Sequence, residues 1–277
     1  MLLDAPTLAA VAALGLGAAV IGGMGGFGTG IILTAALTPL IGVKAVVPVL
    51  AVAGVIINSG RFWFYRASLE RRTLALVLAA SLPFLVLGTW IYSVLDVRVL
   101  GTILGLVVIG SVPLRRVLQR RQVTLDARGL AIGSGVFGLA TGIATGTGVI
   151  MVTLLLGTGM AGTAVLATDA LISIVLDLCK AALFHRLALL DSESLFTGIV
   201  IGVATIVLDF SKALLFQRFD LLDARSFSTG LVIGVATIPG SALAAWLVSR
   251  LHAHIHVLFM EGLILVGGAF MLWHSWK

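Results

Sequence analysis

The chain has one cysteine, two tyrosines and six prolines in 277 residues, and only 11% of its residues are charged. A single cysteine, Cys179, excludes an intrachain disulfide and leaves no cysteine-based metal cluster. Cys179 sits in an apolar run, where a thiol serves as a small buried hydrophobe rather than a reactive group. There is no nucleotide-binding glycine loop followed by lysine, no metalloprotease pattern and no nucleophile beside a base. Enzymatic work and primary active transport by this chain alone are therefore not expected, and no metal or cofactor is expected. The opening MLLDAPTLAA has an acidic residue and no basic stretch, so a cleavable signal peptide is not expected either.

Apolar residues fill the space the charges leave. Hydrophobic residues make up 60% of the chain, and the mean hydropathy is +1.17, where a soluble domain runs at roughly 45–50% apolar. The composition dictates an all-α integral membrane protein, multi-pass in a plasma or inner membrane, with the lipid bilayer as its solvent. The basic sequence pI of about 10.2 does not point to nucleic acid, because the charge lies in short loops between apolar spans.

The spans fall near 7–41, 43–60, 73–94, 98–114, 129–157, 162–184, 195–216, 227–250 and 255–274, about nine in all. Arg61, Arg66, Arg71 and Arg72 follow the second, and Arg115, Arg116, Arg120, Arg121 and Arg128 follow the fourth. Two crossings separate these loops, so they share a face, and their positive charge makes that face cytoplasmic. Trp63, Trp90, Trp246, Trp273 and Trp276 lie near span ends and suit the aromatic belt.

Two of the spans are too long for one helix of ~20 residues. Both are rich in glycine, which disfavours a helix interior by about 1 kcal/mol relative to alanine. The first contains Gly22-Gly23-Met24-Gly25-Gly26-Phe27-Gly28-Thr29-Gly30; the second contains Thr145-Gly146-Thr147-Gly148 after Gly133, Gly135, Gly138 and Gly142. They correspond at an offset of 118 residues, and Pro83 and Trp90 are echoed by Pro239 and Trp246. The chain thus reads as two related transmembrane halves, 1–128 and 129–277, each opening with a broken helix. Unwound backbone at membrane depth is tolerated where it is buried in protein or lines a wet cavity, and a helix resuming there points free N–H groups at an anion. Paired breaks are the pattern of a secondary transporter. The structural alternative is a glycine surface for close helix packing.

A second repeat lies inside the second half. Residues 175–206 and 207–238 are tandem segments with 21 of 32 positions identical. One copy adds half a helix, a polar loop and half a helix, hence one extra crossing, and puts the loops at 185–194 and 217–226 on opposite faces. The alternative is a copy that re-enters or stays in the interface.

The motifs together resemble the TauE/SafE sulfite-exporter family of membrane permeases. The resemblance rests on the glycine runs at Gly25–Gly30 and Gly142–Gly148, Leu40-Ile41-Gly42-Val43-Lys44-Ala45, Ala164-Val165-Leu166-Ala167-Thr168-Asp169, and Gly234-Val235-Ala236-Thr237-Ile238-Pro239-Gly240-Ser241. It implies about eight spans in two halves and movement of small sulfur-containing anions such as sulfite, thiosulfate or organosulfonates, coupled to an ion gradient. Ala35 and Thr153 stand where the family often has proline, the glycine cores read Gly-Thr-Gly, and the duplication adds a span.

Candidate substrate-binding residues are Gly26, Gly28, Thr29 and Gly30 at the first break, Thr145, Gly146, Thr147 and Gly148 at the second, and Asn58 and Arg61 at the end of the second span. The threonine hydroxyls can donate to an oxyanion or bond the carbonyl one turn back; Arg61 can attract an anion or anchor the cytoplasmic face. Candidate coupling residues are Asp169, Asp177 and Lys180. A carboxyl within a membrane segment is a functional candidate by default, against a plain helix cap for Asp169. Asp177 and Lys180, and their copies Asp209 and Lys212, are three apart and can neutralise each other. His252, His254 and His256 read as an interfacial loop rather than a metal site. The expected partners are a small anionic substrate and the bilayer, and a homo-oligomer is compatible with the pattern. A passive anion channel is the rival reading. A natural or engineered non-transporting variant, defined by its duplication, is the other.

Overall fold

The computed structural model describes residues 29–120, 124–160, 162–203, 205 and scattered positions between 262 and 276. Residues 7–28 of the first broken run, the second tandem copy, Pro239, Trp246 and the three histidines lie outside the described residues. Every regular element among the described residues is helical. In order these are α1 (Thr29–Ile41), α2 (Val43–Tyr65), a 3₁₀ turn (Arg66–Ser68), α3 (Arg71–Val94), α4 (Val97–Arg120), α5 (Ala127–Ile143), α6 (Gly148–Gly157), α7 (Gly162–Arg186) and α8 (Ser192–Val203). Among them α2 (with the 3₁₀ turn), α3 and α7 are long and apolar enough to cross a membrane. The protein is an all-α membrane bundle.

Local chemistry sets the boundaries. Gly42, at φ +85°, turns the chain between α1 and α2 in a backbone conformation that glycine adopts freely. Asp126 caps α5 by accepting the Gly129 N–H at 2.8 Å, and Asp191 caps α8 by accepting from Ser194 at 2.8 Å. Bonds from Ser194 hold the exposed Asp191 carboxyl below its ordinary range. Trp63, Trp90, Trp273 and Trp276 are exposed, as an aromatic belt requires.

The closest helix packing is between α3 and α5. Gly138 lies against the Ser81 carbonyl, and Gly142 against the Leu85 carbonyl and the Thr89 N–H. A Cβ at Gly142 would sit 2.6 Å from the Leu85 oxygen, so only glycine permits this approach. Lipid gives helices no hydrophobic drive to associate, and such backbone contact supplies dispersion energy instead.

Contacts between α2 and α7 reveal how the halves are related. Gly54 of α2 faces Asp177 of α7, while Arg61 further along α2 meets Asp169 earlier in α7. As the residue numbers rise on one helix they fall on the other, so the two run antiparallel. An offset of 119 residues, one more than relates the glycine breaks, superposes α2 on α7 in sequence. Equivalent helices therefore traverse the membrane in opposite directions, which makes the halves inverted repeats.

The second broken run folds back on itself, where its length alone suggests one continuous crossing. The Leu125 N–H, just before α5, donates to the Gly157 carbonyl at the end of α6 at 2.7 Å. The start of α5 and the end of α6 therefore share a face. α5 and α6 form a re-entrant hairpin, with the break at its tip. The Glu70 N–H bonds the Thr168 hydroxyl at 3.2 Å, so α7 also starts on the face bearing the Arg61–Arg72 loop. Span length alone cannot separate a crossing from an entry and return. With this reversal the loop at 185–194 lies at the end of α7 away from the Arg61–Arg72 segment.

Single cysteines placed by Asp126→Cys and Thr158→Cys, in a Cys179→Ser background, should both react with a membrane-impermeant thiol reagent from the cytoplasmic face. Labelling from opposite faces would show that the run crosses.

Candidate functional site

The break occupies Ala144–Thr147 between α5 and α6. Glycine is needed here twice over. Gly146 takes φ +80°, and a Cβ on it would collide with the Ile31 side chain. Ile31 belongs to the first turn of α1, the helix that resumes after the first glycine run. Gly30 lies against the Gly146 backbone, where a Cβ would be 3.3 Å from the nitrogen. The two glycine runs thus come together at Gly30 and Gly146. Nothing stands within 4 Å of a Cβ built at Gly148, at the first turn of α6.

Hydroxyls line this junction. Thr34 donates to the Gly30 carbonyl at 2.6 Å and is in short contact with the Thr145 hydroxyl. With its own proton engaged, Thr34 accepts from Thr145. Thr147 and Thr141 share a hydrogen bond at 2.7 Å. Thr38 and Thr153 bond carbonyls one turn back, the role weighed for all membrane threonines, whereas Thr145 and Thr147 bond other hydroxyls across the break. Thr34 and Thr141 were not singled out from the sequence. The four-residue spacing of Gly30, Thr34 and Thr38 was the available signal for Thr34; nothing in the sequence marked Thr141.

A charged network lies between α2 and α7. Arg61 forms an ion pair with Asp169 at 2.9 Å and donates to the Asn58 side chain at 3.0 Å. Asn58 donates in turn to the Gly54 carbonyl at 2.9 Å, and the Asp177 carboxylate lies against Gly54. Asp169 is the eighth residue of α7 and its side chain is 3% exposed, so it is not a helix cap. Its Oδ1 is buried with no hydrogen-bond partner. Lys180 is buried and donates to the Thr141 carbonyl at 2.9 Å, in the last turn of α5. Asp177, one turn earlier on α7, is the acid whose charge reaches it.

The polar groups therefore run from the Arg61–Asp169 pair through Asn58 to Gly54, against which Asp177 lies, and one turn along α7 from Lys180 to Thr141 and Thr147 at the break. This arrangement brings together Gly30, Asn58, Arg61, Thr145, Gly146, Thr147, Asp169, Asp177 and Lys180. Gly26, Gly28 and the Thr29 side chain lie outside the described residues. Among the described residues no cluster of histidine, cysteine or carboxylate side chains has metal-binding geometry.

The helical membrane bundle, with the break between α5 and α6 packed against the first turn of α1, has the architecture of a membrane transport protein. The chain matches the family model described as Sulfite exporter TauE/SafE over residues 11–208. It belongs to that family, whose members are membrane exporters of sulfite and related anions. Comparisons with curated proteins and with solved structures give no match.

Removing one partner of the Arg61–Asp169 pair strands a charge. Arg61→Gln should lower stability by about 1–3 kcal/mol, less than for a fully buried pair because the Arg61 side chain is 29% exposed. Adding Asp169→Asn should restore much of the loss, as a double-mutant cycle in thermal unfolding would read.

Proposed function

We propose that this protein is a secondary transporter of a small sulfur-containing anion, namely sulfite, thiosulfate or an organosulfonate, in a bacterial-type inner or plasma membrane. The observation that carries the reading is the contact between Gly30 and Gly146, where two helix starts converge on one point. The anion is held there by backbone N–H groups at the first turn of α6, by the positive end of that helix, and by the hydroxyls of Thr145 and Thr147. Thr29 and the glycines Gly26 and Gly28 complete the first break on the same logic. Such a site gives oxyanions neutral donors in fixed positions and releases them without breaking a tight ion pair.

Transport proceeds by alternating access, with one inverted half rocking against the other around the breaks. Asp169 carries the coupling proton. Its unpartnered Oδ1 is free to receive one, and its partner Arg61 belongs to the other half. Protonation cancels the carboxylate that holds the halves together at this point. A downhill anion channel would use the same bundle, but it has no need for a titratable carboxyl that ties one half to the other.

Gly146→Leu should abolish uptake of radiolabelled sulfite into proteoliposomes while leaving membrane insertion intact, and Gly28→Leu should do the same. Asp169→Asn should retain downhill exchange but lose accumulation driven by a proton gradient. Unchanged flux in the glycine variants, or uphill transport by Asp169→Asn, would refute the corresponding role.

A further inference from the structure

The inverted repeat places two cations in equivalent positions. An offset of 119 residues carries Asn58 to Asp177 and Arg61 to Lys180. Each pair sits three residues apart on a helix facing the other. The partners of the two cations differ. Arg61 has a direct carboxylate partner, Asp169, whose counterpart in the first half is the apolar Leu50. Lys180 has no such counterpart partner, and donates instead to the neutral carbonyl of Thr141. The duplicated geometry therefore leaves one cation matched at close range and the other not.

We infer that Lys180, rather than Arg61, offsets the substrate's charge and sets the choice between singly and doubly charged anions. The inference rests on the reading of the breaks as the anion site. Lys180 is 1% exposed, so its ammonium is shielded from bulk water and acts at low local dielectric. Its hydrogen bond to Thr141 fixes it one residue contact from Thr147, which opens α6 at the break. An ammonium offers three donors, and one carbonyl occupies one of them. Arg61 is less suited, because an anion near it also meets the Asp169 carboxylate. Asp177 reaches Lys180 from the same helix, but its carboxylate lies against Gly54 and is thus turned toward α2.

Charge selection gives a readout that a purely structural role for Lys180 would not move. Coulomb energy is linear in the substrate's charge, so the loss factor for a dianion is the square of that for a monoanion. The probes are thiosulfate, a dianion near neutrality, and isethionate, a monoanion, each measured with the full chain in proteoliposomes. If Lys180→Gln raises the half-saturating concentration of isethionate about ten-fold, it should raise that of thiosulfate on the order of a hundred-fold. Lys180→Arg should keep the wild-type order of the two anions.

Lys180→His adds an internal control that does not depend on folding of the glutamine variant. Both probes keep their charge between about pH 5.5 and about pH 8, while an introduced histidine titrates within that range. Asp177 and the coupling carboxyl Asp169 are also titratable, so the wild type is the baseline: preference for thiosulfate should fall more steeply with rising pH in Lys180→His than in the wild type. Equal shifts for both anions in Lys180→Gln, or the same pH dependence in Lys180→His and the wild type, would overturn the assignment while leaving the transport reading intact. A wild-type protein that saturates with neither anion would overturn the transport reading itself.

Discussion

Polar groups inside a bilayer must find their partners within the protein, because lipid offers none. That one constraint explains the arrangement around residues 144–147. Opening the helix there frees carbonyls at the end of α5 and N–H groups at the start of α6. Lys180 answers the carbonyl side at Thr141, and hydroxyls bond one another across the gap. Among the described residues no atom stands within 4 Å of a Cβ built at Gly148, at the first turn of α6.

Inverted repeats make equivalent scaffolds, yet a transporter must distinguish its two faces. Here the distinction is chemical. Arg61 near the arginine-rich face has a buried carboxylate partner from the other half, and the equivalent position on the opposite side is Leu50. One side of the α2–α7 contact is therefore held by an ion pair, and the other by apolar packing and a lysine–carbonyl bond.

Much of this was legible in the residues. The glycine run at Gly142–Gly148 announced the break between α5 and α6, and Asp169 stood out as a carboxyl in an apolar span. What sequence could not supply was direction and distance. The run at 129–157 has the length of a broken crossing, and only the Leu125–Gly157 hydrogen bond shows that it returns to its own face. Arg61 and Asp169 are 108 residues apart, so their pairing follows from antiparallel packing that no local pattern encodes. Asp177 and Lys180 read as a self-neutralised helix pair. In the bundle each has a polar neighbour on another helix, Asn58 for one and the Thr141 carbonyl for the other.

The tandem duplication acquires a physical meaning from the same contacts. The first copy supplies Asp177 against Gly54, Lys180 against Thr141, and Gly198 and Gly202 against Val49, Val52, Ala53 and Ile56 of α2. Those contacts use positions where a Cβ would strike backbone or side chain, so they admit one segment and no second. The first copy therefore occupies the place that the repeat of α2 and α3 assigns to α7 and α8, and the match to the family runs to residue 208, at the junction with the second copy.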